Sequence, residues 1–180
     1  MRRLVSVLLP LCLIALLAFA PAGCKRKKKR QVAVEEEQVG LMTMVHAADT
    51  RAAVQLVRGF HSIESNSWRW TAGSFTVTLK PPAGAAQKGA TLQFKLVVPD
   101  VIINKVGPVT LSAAVNGNKL APETYSKAGD YTYTRDVPAS ALTGDAVNVD
   151  FTLDKFMPAS EQDQRDLGVI MTMVGFEAKP

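Results

Sequence analysis

Hydrophobic and polar residues alternate along most of the chain beyond residue 57. The clearest example is VNVDFTLDK (147–155), in which apolar and polar positions alternate without interruption. The pattern recurs in GSFTVTLK (73–80), ATLQFKLVV (90–98) and VTLSAAVNG (109–117), and DYTYTRD (130–136) alternates with residues that favour strands. Because successive side chains of a strand point to opposite faces, each segment predicts a strand with one buried and one solvated face.

The last segment, LGVIMTMVGFEA (167–178), is apolar at both odd and even positions and predicts a central strand covered on both sides. Turn sequences such as PPAGAAQKG, VGP, NGN, KAGD and TGD separate these segments. Six or more strands separated by turns of this kind predict an all-β fold, an antiparallel β-sandwich of the jelly-roll kind, over residues 54–180.

The first 24 residues, MRRLVSVLLPLCLIALLAFAPAGC, have the parts of a secretory signal: a charged start, an apolar stretch and a small-residue exit. The cysteine that ends this exit resembles the lipobox of bacterial lipoproteins. The resemblance implies a signal peptide at 1–23 that is removed, and a lipid on the side chain of Cys24. Two or three acyl chains give stable membrane anchoring.

An alternative for the same region is a transmembrane anchor. Residues 4–22 are just long enough to span a bilayer, and six consecutive positive charges, Lys25–Arg30, follow them. The positive-inside rule then places the C-terminal domain in the cytoplasm rather than on the periplasmic or cell-surface side. Either alternative predicts membrane attachment, with Lys25–Arg30 beside anionic headgroups.

Charge is unevenly distributed between the N-terminus and the remainder of the chain. Residues 1–30 hold eight of the 21 basic residues and no acidic residue, so the remaining 13 basic and 16 acidic residues give a net charge of −3. A domain with this balance has no basic footprint for nucleic acid. No cysteine follows Cys24, which excludes a disulfide framework and a cysteine-based zinc site from the later domain.

Residues 24–53 are expected to be a basic and acidic tether, in which ADTRAAVQLV (48–57) predicts a short helix.

Four segments resemble a bacterial β-sandwich module: LVRGFHSIESNSWRWTAGSFTVTLKPP, GPVTLSAAVNG, YSKAGDYTYTRDVPASAL and RDLGVIMTMVGFE. This module occurs alone in lipoproteins and also appended to glycosyltransferases and methyltransferases. The match covers roughly residues 54–178. It implies a jelly-roll, galactose-binding-like fold, and folds of that kind often hold carbohydrate.

The two tryptophans of the chain lie in SNSWRWT (65–71), where a strand places Trp68 and Trp70 on one face and Arg69 on the other. One interpretation is that both indoles fill the core. The other is a ligand rim, with an indole stacking on a sugar ring while Arg69 and Glu64 bond its hydroxyl groups. His61 and Glu64 precede the pair by a short loop and can reach the same rim. The candidate ligand-binding residues are therefore His61, Glu64, Trp68, Arg69 and Trp70.

Two further clusters have structural interpretations. Arg135 shares a strand face with Tyr131 and Tyr133, which predicts a cross-strand cation–π contact or salt bridge. The segment EQDQRDLG groups Glu161, Asp163 and Asp166 before the last strand, and oxygen ligands of this kind suit calcium. The segment lacks the glycine-punctuated spacing of a calcium loop, so an acidic loop with Arg165 in an internal ion pair is the favoured interpretation, and no metal is expected.

The inventory of catalytic groups is poor. The chain has two histidines and neither a Gly-x-Ser-x-Gly nor a P-loop signature, so we expect no enzyme and no cofactor. The leading hypothesis is a membrane-anchored, non-catalytic binding module of the bacterial envelope that recognises a glycan or an envelope protein. The alternatives are a structural protein–protein docking domain without a small ligand and, third, a small hydrolase.

Overall fold

The structure, a computed structural model, describes residues 40–180. The leader or anchor segment 1–23, Cys24, the basic run Lys25–Arg30 and most of the predicted tether lie outside the described residues. The described part belongs to one compact unit, Gln38–Pro180. Within residues 40–180, none of the helices combines the length and the hydropathy needed to cross a bilayer.

Short helical segments connect ten strands within residues 40–180. The α-helices are α1 (Ala85–Lys88) and α2 (Asp100–Val106), and the 3-10 helices are Thr50–Gln55 and Ala139–Ala141. In chain order the strands are β1 (Met44–His46), β2 (Leu56–Glu64), β3 (Trp68–Leu79), β4 (Ala90–Val98), β5 (Val109–Val115), β6 (Asn118–Lys119), β7 (Glu123–Tyr125), β8 (Gly129–Val137), β9 (Val147–Leu153) and β10 (Ile170–Ala178).

The strands form one curled antiparallel sheet in the order β6-β5-β9-β3-β10-β4-β8, with β1 on β10, β2 on β3 and β7 on β5. Strand β3 joins the two layers, because its first part pairs with β10 at Arg69 and Trp70 while its second part pairs with β9. One layer thus holds β8, β4, β10 and β1, and the other holds β7, β6, β5, β9 and β2. This architecture confirms the predicted antiparallel β-sandwich.

The core lies between the two layers and is centred on three phenylalanines. Phe94 of β4 lies 4.9 Å from Phe151 and 5.6 Å from Phe75, ring centre to ring centre, and the last two stack at 5.0 Å as cross-strand neighbours. The alternate positions predicted to face inward are buried: Phe75, Val77, Leu79, Leu92, Phe94, Leu96, Val98, Val109, Leu111, Ala113, Val115, Val147, Val149, Phe151 and Leu153. Strand β10 is buried on both faces from residue 173 to residue 176, as its apolar sequence predicted, whereas its last two residues are exposed.

The open side of the sandwich, between β8 and β7, is closed by side chains of β8. The Tyr133 hydroxyl donates to the carbonyl of Ala121 (2.8 Å), and the Arg135 guanidinium donates to the carbonyls of Ala121 (2.7 Å) and Pro122 (3.0 Å). Arg135 also pairs with Glu123 at 2.8 Å and lies 4.3 Å above the Tyr133 ring. The predicted salt bridge to another strand is therefore present, with Glu123 of β7, while the cation–π contact lies within β8 rather than across strands.

The folded unit starts ahead of residue 54, which corrects the predicted boundary of the tether. Strand β1 pairs with β10, and Val45, Ala47 and Ala52 are fully buried. Residues 50–55 form a 3-10 helix, capped by the Asp49 carboxylate, and Leu56 already belongs to β2. The sequence did not reveal this because a three-residue strand is too short to show alternation, and its pairing with β10 is a tertiary contact.

The buried Gln55 side chain ties this early segment to the sheet. Its amide donates to the carbonyls of Met42 (3.0 Å) and Thr78 (2.7 Å), and its carbonyl accepts from the Met42 N–H (2.8 Å). Gln55 is 1% exposed, so these bonds satisfy a polar group that burial would otherwise penalise. They fix the segment before β1 beside the end of β3.

Candidate functional site

The two tryptophans lie at the start of β3, directly after a tight connection from β2. Ser65 and Asn66 both have positive φ (50° and 51°), and the Ser67 N–H donates to the Glu64 carbonyl (3.0 Å). Two consecutive residues in the left-handed region give the turn a twist that matches antiparallel strands. The turn sets the register so that Glu64 lies directly opposite Trp68. We call β2, residues 65–67 and the start of β3 the tryptophan hairpin.

The two indoles contact each other edge to face, with ring centres 6.3 Å apart and planes at 80°. Both side chains are partly exposed. Trp70 packs against the buried core, whereas Trp68 is not among the residues that pack there. The two tryptophans therefore differ: Trp70 supports the sheet, and Trp68 is held against Trp70 with part of its surface open to solvent.

His61 and Arg69 are directed at the protein's own backbone. Arg69 donates to the carbonyls of His61 (3.0 Å) and Ala47 (3.2 Å), which takes two of its five N–H donors. The His61 Nε2 atom lies 2.7 Å from the carbonyl of Asp166. These contacts join β2 to the segment after β1 and to the loop before β10. A ligand-binding role for His61 and Arg69 stays a prediction.

The acidic loop that precedes β10 holds the Glu64 side chain in place through Arg165. The Arg165 guanidinium donates to Glu64 (2.7 Å) and to both carboxylate oxygens of Asp163 (2.8 and 2.9 Å). Arg165 lowers the pKa of Asp163 to about 2, mainly by these side-chain hydrogen bonds, and the two carboxylates raise the pKa of Arg165. The structure thus confirms the internal ion pair predicted for Arg165. In the part of the chain that the structure describes, no three His, Cys, Asp or Glu side chains are grouped to hold a metal ion.

A concave feature that the sequence pattern did not indicate lies on the outer face of β5 and β9. Between β6 and β7, residues 120–122 leave the sheet edge as an arch, with the Leu120 N–H bonded to the Ala113 carbonyl (2.9 Å). The space between this arch and the sheet, which we call the outer groove, has a volume of about 400 Å³. Its lining residues are Ser112, Ala113, Ala114, Lys119, Leu120, Pro122, Asp150 and Thr152.

Asp150 is a polar group of the outer groove that has side-chain partners on β2 and β3. Its carboxylate accepts from the Thr76 hydroxyl (2.6 Å) and lies 3.5 Å from the Arg58 guanidinium, which in turn donates to Thr76 (2.8 Å). The Asp150 side chain is still 44% exposed, so a ligand can reach it. Alternation marks Ser112, Asp150 and Thr152 as outward positions, but it does not reveal that a distant segment folds over them.

No family model matches the chain, and no curated protein sequence matches it either. Among solved structures, the chain is similar to the CBM36-1 domain of a multidomain xylanase from the hindgut metagenome of Trinervitermes trinervoides (10% identity, 77% of this chain and 98% of that chain, TM-score 0.41). It is also similar to the carbohydrate-binding module CBM36 in complex with calcium and xylotriose (7% identity, 76% and 100% coverage, TM-score 0.41) and to a CBM4 module (11% identity, 76% and 85%, TM-score 0.34). With TM-scores below 0.5, these likenesses carry no argument about the activity of this chain.

Proposed function

We propose that the chain is a non-catalytic carbohydrate-binding module of the bacterial envelope, with Trp68 as its stacking surface. The observation that carries the proposal is the pairing of a partly exposed indole outside the core with a carboxylate, Glu64, directly opposite it in the hairpin. Sugar rings have an apolar face and hydroxyl edges, and binding sites for such ligands combine an aromatic surface with a few fixed polar groups.

The hairpin is also ordered before any ligand arrives. Trp70 supports Trp68 from the side, and Arg165 holds Glu64 by a short charge-assisted bond. Side chains that are already fixed lose little conformational entropy on binding, so the same contacts give more affinity. The sequence resemblance to a jelly-roll module points to the same ligand class.

Trp68→Ala is expected to weaken glycan binding at least tenfold, equivalent to about 1.4 kcal/mol or more, because the stacking surface is removed. Both tryptophans of the chain lie in the hairpin, so tryptophan fluorescence of the full-length chain in detergent, excited selectively over the three tyrosines, reports on this site. The measurement is a fluorescence and calorimetric titration with neutral hexasaccharides of glucose, xylose and mannose. The Trp70→Phe variant leaves Trp68 as the one tryptophan.

Two variants control the titration. Trp68→Phe keeps an aromatic ring and is expected to retain part of the affinity, and Thr134→Ala, at an exposed position on β8, is expected to change nothing. Unchanged affinity in a folded Trp68→Ala protein would remove Trp68 from the site. Failure of every saccharide to bind would favour the docking-domain alternative.

Membrane attachment through Cys24 is part of the proposal and rests on the leader sequence. We expect mass spectrometry of the purified membrane form to find a diacylglycerol thioether on Cys24 at the mature N-terminus, because the small-residue exit before it resembles a lipobox. Cys24→Ser is expected to abolish the adduct and to reduce the amount of protein from which the leader has been removed. An intact Met1 with an unmodified Cys24 would support the transmembrane anchor instead.

A further inference from the structure

The outer groove has one polar and one apolar side. The polar side is a row of outward side chains on neighbouring strands, in which Ser112 of β5 is paired directly with Thr152 of β9, followed along β9 by Asp150. The apolar side is the arch, which contributes Leu120 and Pro122. A ligand in this space meets hydroxyl and carboxylate groups on one flank and aliphatic surface on the other.

The charges that line the groove balance. Lys119 and Asp150 are the two charged residues of its lining and have opposite signs, while Arg58, which does not line the groove, lies 3.5 Å from the Asp150 carboxylate. A polyanion therefore gains little net attraction from the lining itself, since its two charges cancel. The lining favours an uncharged ligand that exchanges hydrogen bonds with Ser112, Thr152 and Asp150.

The arch that forms the apolar side is held open by the opposite layer of the sandwich. Tyr133 and Arg135 of β8 bond to the carbonyls of Ala121 and Pro122 and fix these residues from behind. Tyr133 is fully buried and the Arg135 side chain is mostly buried, so the arch is supported largely from inside the sandwich. A groove whose wall is braced in this way keeps its shape without a ligand and binds at a lower entropic cost.

Two properties of the outer groove determine which kind of ligand it can bind. Its volume of about 400 Å³ is within the range of small-molecule sites, and the small outward side chain of Ala114, beside Ser112 on the same face of β5, lets a flat ring approach the sheet. A sugar ring matches this geometry, because it presents C–H groups on its faces and hydroxyl groups at its rim.

We propose that the outer groove is a second binding site, separate from the tryptophan hairpin, for a short segment of a neutral glycan. The choice of a glycan as the ligand rests on the proposed function. The location of this second site does not depend on it. Asp150, Ser112 and Thr152 bond the hydroxyl groups, and Leu120 and Pro122 cover the opposite face of the sugar.

The test uses the full-length chain in detergent, labelled with ¹⁵N and titrated with the neutral hexasaccharides of glucose, xylose and mannose, and with an oligogalacturonate as the anionic probe. The expected result is a saturable shift of the Ser112 and Thr152 amide signals with at least one neutral saccharide. Ser112→Leu fills the groove from an exposed position and is expected to weaken this binding at least tenfold. Thr134→Leu introduces leucine at an exposed position of the other layer and is expected to leave it unchanged.

Different outcomes separate this inference from the proposed function. Saturable shifts that are confined to the hairpin, with tryptophan fluorescence responding, overturn the groove and leave the Trp68 site standing. Groove shifts that survive Trp68→Ala, without any fluorescence change, support the groove and reject the hairpin as a site. Binding of oligogalacturonate alone, or shifts that Ser112→Leu does not alter, overturn the proposal of a neutral glycan in this groove.

Discussion

Phe94→Ala is expected to lower the free energy of unfolding by about 3–5 kcal/mol, the usual cost of removing a buried aromatic ring. Phe94 is fully buried and touches Phe151 and Phe75 of the other layer, at ring distances of 4.9 and 5.6 Å. The ring therefore joins the two layers, and its loss removes apolar burial and leaves a cavity that rigid strands on both sides fill poorly. Urea unfolding of the variant, monitored by circular dichroism, measures the loss.

The neighbouring residue provides the matched control for this prediction. Lys95 is adjacent to Phe94 in β4 but faces solvent, so Lys95→Ala is expected to change the stability by no more than about 0.5 kcal/mol. Phe94→Leu keeps most of the apolar volume and is expected to cost less than Phe94→Ala. A loss below about 1 kcal/mol for Phe94→Ala would contradict the described packing of β4 on β3 and β9.

Strand alternation predicted the two layers well where strands are regular. The second half of β3 and strands β4, β5 and β9 bury the alternate residues that their sequences indicate, because both edges of these segments are paired or their faces are uniformly covered. The continuous apolar sequence of β10 correctly indicated a strand enclosed on both faces.

The strands that the sequence did not reveal are short or irregular. Strands β1, β6 and β7 have two or three residues each, too few for a period of two to emerge. Strand β2 is longer, but its register against β3 shifts three times, so its apolar residues do not alternate. Helices α1 and α2 lie between strands, where the glycine and proline content indicated turns only.

The candidate site was predictable to a similar degree. Spacing alone placed Trp68 and Trp70 on one face of a strand, and the contact between the two indoles agrees with that. It did not show that Arg165, 101 residues away from Glu64, fixes the carboxylate opposite Trp68. The outer groove depends on the arch that follows the β5–β6 hairpin and on the pairing of β5 with β9, and this pairing is a long-range contact that leaves no local pattern in the sequence.

Gly59→Ala is expected to cost about 2–5 kcal/mol of stability, from left-handed strain of about 1–2 kcal/mol and a backbone displacement of about 1–3 kcal/mol. Gly59 has φ +73°, and a Cβ atom there would clash with the Ser74 carbonyl oxygen and lie 2.7 Å from the Phe75 Cα atom. The obstructing atoms belong to the backbone of β3, so no side-chain rotation relieves the contact. Urea unfolding measures the change.

The irregularity at Gly59 also directs its two neighbours. Arg58 on one side reaches the outer face and bonds to Thr76, while Phe60 on the other side turns inward and lies 5.3 Å from the Phe75 ring. Displacing β2 therefore disturbs the Phe60 contact and the Arg58 support of Asp150 together. We expect Gly59→Ala to weaken binding at the outer groove as well as to destabilise the fold.

The Gly84→Ala variant distinguishes the cost of left-handed backbone strain from the cost of a steric clash. Gly84 has φ +80°, but a Cβ atom there meets nothing within 4 Å, so Gly84→Ala carries the left-handed strain alone and is expected to cost about 1–2 kcal/mol. Equal losses for the two variants would mean that β2 can move away from β3 at no cost. A much larger loss at Gly59 would show that the close approach of these two strands is what demands glycine.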